Sequence, residues 1–190
     1  MQKILLATQN KGKIAELSRA FSENFIIETL THKDIPEPVE DGITFAENAE
    51  LKARYYYNIF NIPVVADDSG MLIEALKGFP GVKTKDFMEE NGSYEASFLR
   101  LEEMLSSLPK PYKTKFVCTL CFYDGQNTVI ASGEDSGTLT FPARGLHGFG
   151  FDPVFIPDGY NKTFAELGLD IKEQIGHRAM AIKQLQKLLK

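Results

Sequence analysis

The sequence predicts an α/β protein: a mixed central β-sheet flanked by helices, in two lobes with a cleft between them. Two observations predict it. Strand-like and helix-like segments alternate through the first third of the chain, and a hairpin dominates the middle, its two β-rich runs joined across Asp124-Gly125. The 190 residues suit one domain, 1–190, able to bury a core without disulfides or structural metals.

Lys3–Ala7 reads as a buried strand, and Ile14, Leu17 and Phe21 recur at helical spacing through Lys13–Phe21. Phe25–Leu30 looks like a second strand. Residues 31–42 hold two prolines and four acidic residues and read as a loop, in which His32 takes no role. Thr44-x-x-Glu47 is a capping box opening a helix through about Phe60. Phe45, Ala49, Ala53, Tyr56 and Phe60 form its apolar stripe, and Asn48 and Lys52, four apart, share the neighbouring one. Pro63 ends that region, and Val64–Ala66 enters another buried strand. A helix follows at about Tyr94–Leu108, then strands at Lys113–Tyr123 and Thr128–Ser132, with Thr138–Phe141 as one more. The last helix, from about Arg178, presents Ile182, Leu185 and Leu189 to the core.

Composition narrows the function classes. Twenty-six acidic against 21 basic side chains give a net charge of −5, which argues against a general nucleic-acid binder. A small anionic ligand held by a few lysines remains compatible with it. The N-terminal apolar run Ile4–Ala7 is too short for a secretory signal, and no stretch approaches the length of a membrane span. The expectation is a cytoplasmic protein without membrane or nucleic-acid partners. Cys118 and Cys121 have C-x-x-C spacing, but strand positions three apart point to opposite faces. Their sulfurs should diverge, and no second pair exists to complete a zinc site.

Five segments have the residues for chemistry. Ala7-Thr8-Gln9-Asn10-Lys11-Gly12-Lys13 joins a strand to a helix, where free N–H groups, the helix dipole and Lys13 suit phosphate; it reads equally as a capped helix with solvated lysines. Ala66-Asp67-Asp68-Ser69-Gly70 places two carboxylates at the end of a buried strand, where a hard cation such as Mg²⁺ would be held together with substrate phosphates. Its other reading is an Asp-rich turn. Glu37–Asp41 is an acidic loop, ordinarily just solvated, in which Glu40 is a second ligand if Asp68 holds a metal. In Arg144–Pro153, Phe149 and Phe151 offer flat faces and Asp152 an acceptor for the N–H edge of a base, though a glycine-rich turn over core phenylalanines explains the segment as well. His147 is a loop histidine. In Lys172–Arg178, Gly176 can serve as N-cap and put His177 and Arg178 in a first helical turn, where arginine suits a carbonyl edge or a phosphate.

In this order the segments resemble the inosine triphosphate pyrophosphatase family, the Ham1-like proteins. The matching residues are Ala7-Thr8-x-Asn10-x-x-Lys13, Glu40-x-Gly42-x-Thr44-Phe45-x-Glu47-Asn48-Ala49 with Lys52-Ala53, Ala66–Gly70, Gly78-x-Pro80-Gly81, Phe149–Pro153, Lys162-Thr163-x-Ala165-Glu166-Leu167 and His177-Arg178. The resemblance implies a homodimeric, Mg²⁺-dependent enzyme that hydrolyses ITP, dITP or XTP to the monophosphate and pyrophosphate. It implies that Thr8, Gln9, Asn10, Lys11, Gly12 and Lys13 bind the triphosphate, with Lys52 and Ser69 nearby. Glu40 and Asp68 would hold the metal, and Asp68 would accept the proton of the attacking water, with Lys13 and Lys52 completing the catalytic set. Phe149, Gly150, Phe151, Asp152, Lys172, His177 and Arg178 would recognise the base.

Two departures stand out. Bacterial members usually have Ser-Ala-Arg where this chain has Lys83-Thr84-Lys85-Asp86-Phe87, so the arginine position is Asp86; Lys85 is a candidate counterpart of a eukaryotic lysine. The usual Ser-His-Arg is Gly176-His177-Arg178. Other functions in play are a Maf-like nucleotide pyrophosphatase acting on other modified or pyrimidine nucleotides, and a nucleotide-binding sensor without turnover.

Overall fold

The computed structural model describes residues 1–30 and 35–190; the part of the expected loop at 31–34, with His32, lies outside them. The elements in chain order are β1 (Gln2–Ala7), α1 (Lys11–Phe21), β2 (Phe25–Thr29), α2 (Phe45–Phe60), β3 (Val64–Ile73), β4 (Pro80–Gly81), α3 (Thr84–Asn91), α4 (Tyr94–Leu105), β5 (Tyr112–Tyr123), β6 (Thr128–Leu139), β7 (Phe155–Pro157), α5 (Phe164–Leu167), α6 (Leu169–Ile175) and α7 (His177–Leu188). The strands form one seven-stranded mixed sheet in the order β2-β1-β3-β5-β6-β7, with β4 paired to β3. β1 runs parallel to β2 and β3, while β4 and β7 are antiparallel to β3 and β6.

The chain divides into two compact units: Met1–Asp68 with Cys118–Gly133 and Met180–Lys190, and Ser69–Val117 with Glu134–Ala179. In the first unit, β1 and β3 are buried on both faces, as a parallel strand between helices must be. Alternation then sorts their side chains. Ile4, Leu6 and Val65 pack with Leu17 and Phe21 of α1 and Ala181, Ile182 and Leu185 of α7. Leu5, Ala7, Val64 and Ala66 pack instead with Ala49, Ala53 and Tyr56 of α2. Cys118 joins the first of these cores and Cys121 the second, both as free thiols, so their sulfurs diverge as the strand period requires.

α2 starts where the capping box places it. Thr44 accepts from the Glu47 N–H at 3.1 Å, and the Glu47 carboxylate takes the N–H groups of Ile43 and Thr44 at 2.7 and 3.1 Å. The hairpin turn is held by Asp124, whose carboxylate accepts from the Gln126 and Asn127 N–H groups at 2.9 and 2.7 Å. Further along the β5–β6 pair, the Thr119 and Ser132 hydroxyls meet at 2.9 Å.

The second unit is built around aromatic stacking. Phe155 stacks on Phe116 at 4.0 Å and on Phe164 at 5.5 Å, within a core that includes Met71, Ile73, Phe98, Leu101 and Leu105. Here the expectations need correcting. The helix expected to reach Leu108 stops at Leu105, because Ser106 caps it and turns its hydroxyl to the Glu103 carbonyl. Thr138–Phe141 is no separate strand; Thr138 and Leu139 finish β6, whose side chains keep alternating past Ser132. β4, α3, α5, α6 and β7 have no counterpart among the expected elements.

Asp135 is the polar intrusion in this alternation. It is buried on β6, its Oδ2 has no hydrogen-bond partner, and burial, with help from Asp158, pushes its carboxyl up to about 7. A folded-state value above the ordinary 3.8 means the fold favours the neutral acid, so the cost is absent in strong acid and grows until the pH passes about 7. Asp135→Asn is therefore expected to raise the melting temperature at pH 8, with the gain shrinking as the pH falls toward 4. Melts by circular dichroism across that range check it.

Candidate active site

The predicted site residues gather in two clusters, one in each unit. The first begins in the turn between β1 and α1. Thr8 Oγ1 accepts from the Asn10 N–H at 3.2 Å, and Asn10 caps α1 by accepting from the Lys13 N–H at 3.1 Å. That cap puts Lys13 in the first helical turn, with its ammonium 2.7 Å from Asp67 Oδ2. Gln9 and Lys11 are exposed in the same turn and Gly12 is half-buried.

Asp67 and Asp68 are not at a strand end, as expected, but inside the ten-residue β3. The parallel pairing with β1 stops at Ala66, and the next two residues carry the carboxylates beyond it. Successive strand residues alternate in direction. Asp67 accordingly meets Lys13 of α1, while Asp68 meets α2: Asn48 Nδ2 donates to its Oδ2 at 3.1 Å, and Lys52 Nζ lies 3.6 Å from its Oδ1. Lys52 is closer still to Glu40, at 2.7 Å. The loop bearing Glu40 is folded back on α2 by the Gly42 N–H, which donates to Asn48 Oδ1 at 2.8 Å. A Cβ on Gly42 would lie 2.5 Å from that oxygen, so only glycine permits the approach.

The charges in this cluster act strongly on one another. Burial pushes the Asp68 carboxyl up to about 6; Lys52 opposes the rise, Glu40 adds to it, and Asn48 and Lys13 pull it back. Burial also works against the Lys52 ammonium, but Asp67, Asp68 and Glu40 outweigh it and hold Lys52 above its ordinary value. Two carboxylates thus face one cationic group in a largely dry setting, a donor set that suits a hard divalent cation. Among the described residues no group of three or more His, Cys, Asp or Glu side chains is placed to hold a metal, so phosphate and water would have to complete the shell.

The second cluster lies in the second unit. Asp152 Oδ2 accepts from the Phe149 N–H at 2.8 Å and from Lys172 Nζ at 2.7 Å, with both charged side chains almost fully buried. The Lys172 ammonium sits 4.0 Å from the centre of the Phe149 ring, and the Arg178 guanidinium 5.7 Å from it. Arg178 also donates to the Ser69 hydroxyl at 3.2 Å, so Ser69 joins this cluster. His177 and Arg178 open α7 directly after Gly176. Gly176 also ends α6, and a Cβ there would come within 2.6 Å of the Lys172 carbonyl oxygen.

Phe151 corrects the expectation of a second stacking face. It is buried, with Tyr94 and Phe98 packed edge-on against it, which leaves Phe149 as the half-buried ring; Gly150 passes between them with φ +65°. The departure at Lys83–Phe87 is structural. Thr84 donates to the Gly81 carbonyl and accepts from the Met71 N–H, tying α3 to the β3–β4 pair, and Phe87 packs into the core. Asp86, at the usual arginine position, is an exposed first-turn acid of α3 paired with Lys83 at 3.1 Å. Lys85 is exposed as well.

Asn48 has no role in the sequence reading and Asp67 only that of one of two carboxylates for a cation, although both are at the centre of the first cluster. The signal for Asn48 was present in its four-residue spacing from Lys52 on one stripe of α2.

A mixed α/β sheet with an acid–lysine cluster past one parallel strand pair, and a cation–aromatic cluster in its second unit, defines the class to which the comparisons point. The chain belongs to the Ham1 family, which it matches over residues 4–188. It is 41% identical to the dITP/XTP pyrophosphatase of Aquifex aeolicus, covering 99% of this chain and 96% of that protein. It is 40% identical to the dITP/XTP pyrophosphatase of Oceanobacillus iheyensis, covering 100% and 98%. Among solved structures, the Coxiella burnetii HAM1 protein aligns with a TM-score of 0.90 at 31% identity, covering 100% of this chain and 98% of that one. The Staphylococcus aureus Ham1 protein aligns with a TM-score of 0.87 at 34% identity, covering 99% and 98%.

The charge coupling around Asp68 is open to direct titration. In metal-free protein followed by carboxyl carbon NMR, Asn48→Ala is expected to raise the Asp68 midpoint and Glu40→Gln to lower it, since each removes one named influence.

Proposed function

We propose that this chain hydrolyses the non-canonical purine nucleoside triphosphates ITP, dITP and XTP to the monophosphate and pyrophosphate, and so cleanses the nucleotide pool. The observation that carries this reading is the cluster of buried Lys52, Asp68 and Asn48 with half-buried Glu40, in a chain that aligns end to end with proteins named dITP/XTP pyrophosphatase. The proposal treats residues 1–190 as one catalytic domain, acting as a homodimer in the cytoplasm. No helix among the described residues is long and apolar enough to cross a membrane.

In the proposed mechanism the β1–α1 turn, Thr8 to Gly12, receives the polyphosphate on the positive end of α1, and Lys13 adds a full charge. Glu40 and Asp68 would hold Mg²⁺, which when bound offsets charge on the phosphates. Lys52 holds both carboxylates in place and adds positive charge where the pyrophosphate leaves. Asp68 orients the attacking water and takes its proton as the α–β phosphoanhydride breaks. Asn48 keeps Asp68 aimed.

The base is assigned to the second cluster. Phe149 stacks on it, and the Lys172, His177 and Arg178 donors face its 6-keto edge, with Asp152 holding Lys172 and Ser69 steadied by Arg178. Hypoxanthine and xanthine offer an acceptor there. Adenine offers an amino donor and would leave buried donors unpaired, which discriminates more strongly than size.

Pyrophosphate release with Mg²⁺ from ITP, XTP, ATP, GTP, UTP and dTTP tests the reading. ITP and XTP are expected to exceed ATP by roughly a hundredfold or more in kcat/KM, and to exceed GTP as well, whose rejection must involve the 2-position because guanine shares the 6-keto group. A preference for pyrimidines would favour the Maf-like alternative, and binding without turnover the sensor. Asp68→Asn is expected to lower kcat by on the order of 10²–10⁴ while nucleotide binding survives; near-normal rates in that variant would refute the assignment of the base.

A further inference from the structure

We propose that Tyr94 is a positioning residue for base recognition, whose ring grips Phe151 and thereby fixes the Phe149–Asp152 turn that meets the purine. The inference rests on the function proposed above and adds a residue from α4, outside the segments that carry the family resemblance.

The turn needs an outside support. Gly148 and Gly150 both have positive φ, at +78° and +65°, so the backbone leading into Asp152 is intrinsically permissive. Two hydrogen bonds close the turn, a long one from the Asp152 N–H to the Phe149 carbonyl at 3.4 Å and one from the Phe149 N–H to Asp152 Oδ2 at 2.8 Å, and neither holds the Phe151 ring. Asp152 is tied down on its far side by Lys172, but that contact fixes the carboxylate and leaves the intervening Gly150-Phe151 step to packing.

The packing comes from α4. Tyr94 and Phe98 are one helical turn apart on the same face. Tyr94 meets the Phe151 ring at 5.4 Å with an interplanar angle of 87°, and Phe98 meets it at 5.7 Å and 64°. Phe98 belongs to the core of the unit, whereas Tyr94 is only half-buried and also covers Gly150. A Cβ built on Gly150 would lie 3.8 to 3.9 Å from the edge and hydroxyl of the Tyr94 ring. Tyr94 thus packs on Phe151 and faces the Gly150 step. Its phenol is also near enough to Asp152 for that carboxylate to help raise its pKa, after burial. Tyr94 is itself anchored, following the N-cap Ser93 that accepts from the Ala96 N–H at 3.1 Å.

Steady-state kinetics of Tyr94→Ala, Tyr94→Leu and Tyr94→Phe with ITP, XTP and GTP decide the matter. Tyr94→Ala is expected to raise KM for ITP and XTP by roughly three- to tenfold, the size of one edge-on aromatic pair. Its kcat should stay within about twofold and its preference for ITP over GTP should fall. Tyr94→Phe, which keeps the ring, restores wild-type KM and selectivity. Tyr94→Leu, which keeps bulk without the edge-on contact, repeats the loss and serves if the alanine variant does not fold. Unchanged KM and selectivity in both truncations overturn the proposal. So does a kcat loss shared equally by all nucleotides, or a Tyr94→Phe variant as impaired as Tyr94→Ala. Absence of ITP turnover in the wild type would sink the proposed function alone. Calorimetric binding of IMP, weakened in Tyr94→Ala and normal in Tyr94→Phe, would still decide the role of Tyr94.

Discussion

The Lys52 ammonium is the interaction on which the first unit is organised. It lies 2.7 Å from Glu40 and 3.6 Å from Asp68, nearly out of water. Removing one partner of such a buried pair leaves a charge that costs about 3–5 kcal/mol. The surrounding chain is arranged so that no member stands alone. Asn48 gives its amide hydrogen to Asp68 and takes the Gly42 N–H on its oxygen, so one side chain links the strand bearing one acid to the loop bearing the other. The capping box one turn earlier sets where α2 begins and therefore which face presents Asn48 and Lys52. A helix cap, a glycine and an amide together hold two like charges around one ammonium.

Much of this was legible in the sequence where period and cap chemistry are strong. Thr44-x-x-Glu47 located α2, the apolar recurrence located α1, and Asp124-Gly125 located the hairpin. The strand period alone predicted that Cys118 and Cys121 part company. What escaped notice was short or tertiary. α5 has four residues and α6 seven, fewer than two turns or about two, so no apolar stripe can develop; the Thr163–Glu166 capping box was the available sign. The extent of β3 was hidden because Asp67, Asp68, Ser69 and Gly70 have turn-forming character, and burial between Lys13, Asn48 and Lys52 overrides it.

The same divide runs through the second cluster. That Phe149, Asp152, Lys172 and Arg178 belong together is an implication of family resemblance, since 20 or more positions separate Phe149 and Asp152 from Lys172 and Arg178. The structure adds the order of contact: Asp152 is spent on Lys172 and on the Phe149 N–H, and the ammonium is turned toward the ring. Phe151 could not be told from Phe149 by residue type. Its place in the core follows from α4, which supplies Tyr94 and Phe98 against it.

The hydroxyl pair of Thr119 and Ser132 has a consequence for how the hairpin finds its alignment. From Cys118 to Phe122 every residue of β5 is buried, so β5's own side chains do not mark the register and the alternation along β6 carries that information. Slippage would strand the Thr119 hydroxyl in a dry interior without a partner, at the cost of an unmet polar group. The polar pair thus adds a proofreading mark to the alternation of β6, penalising misregistration that the side chains of β5 would tolerate by themselves.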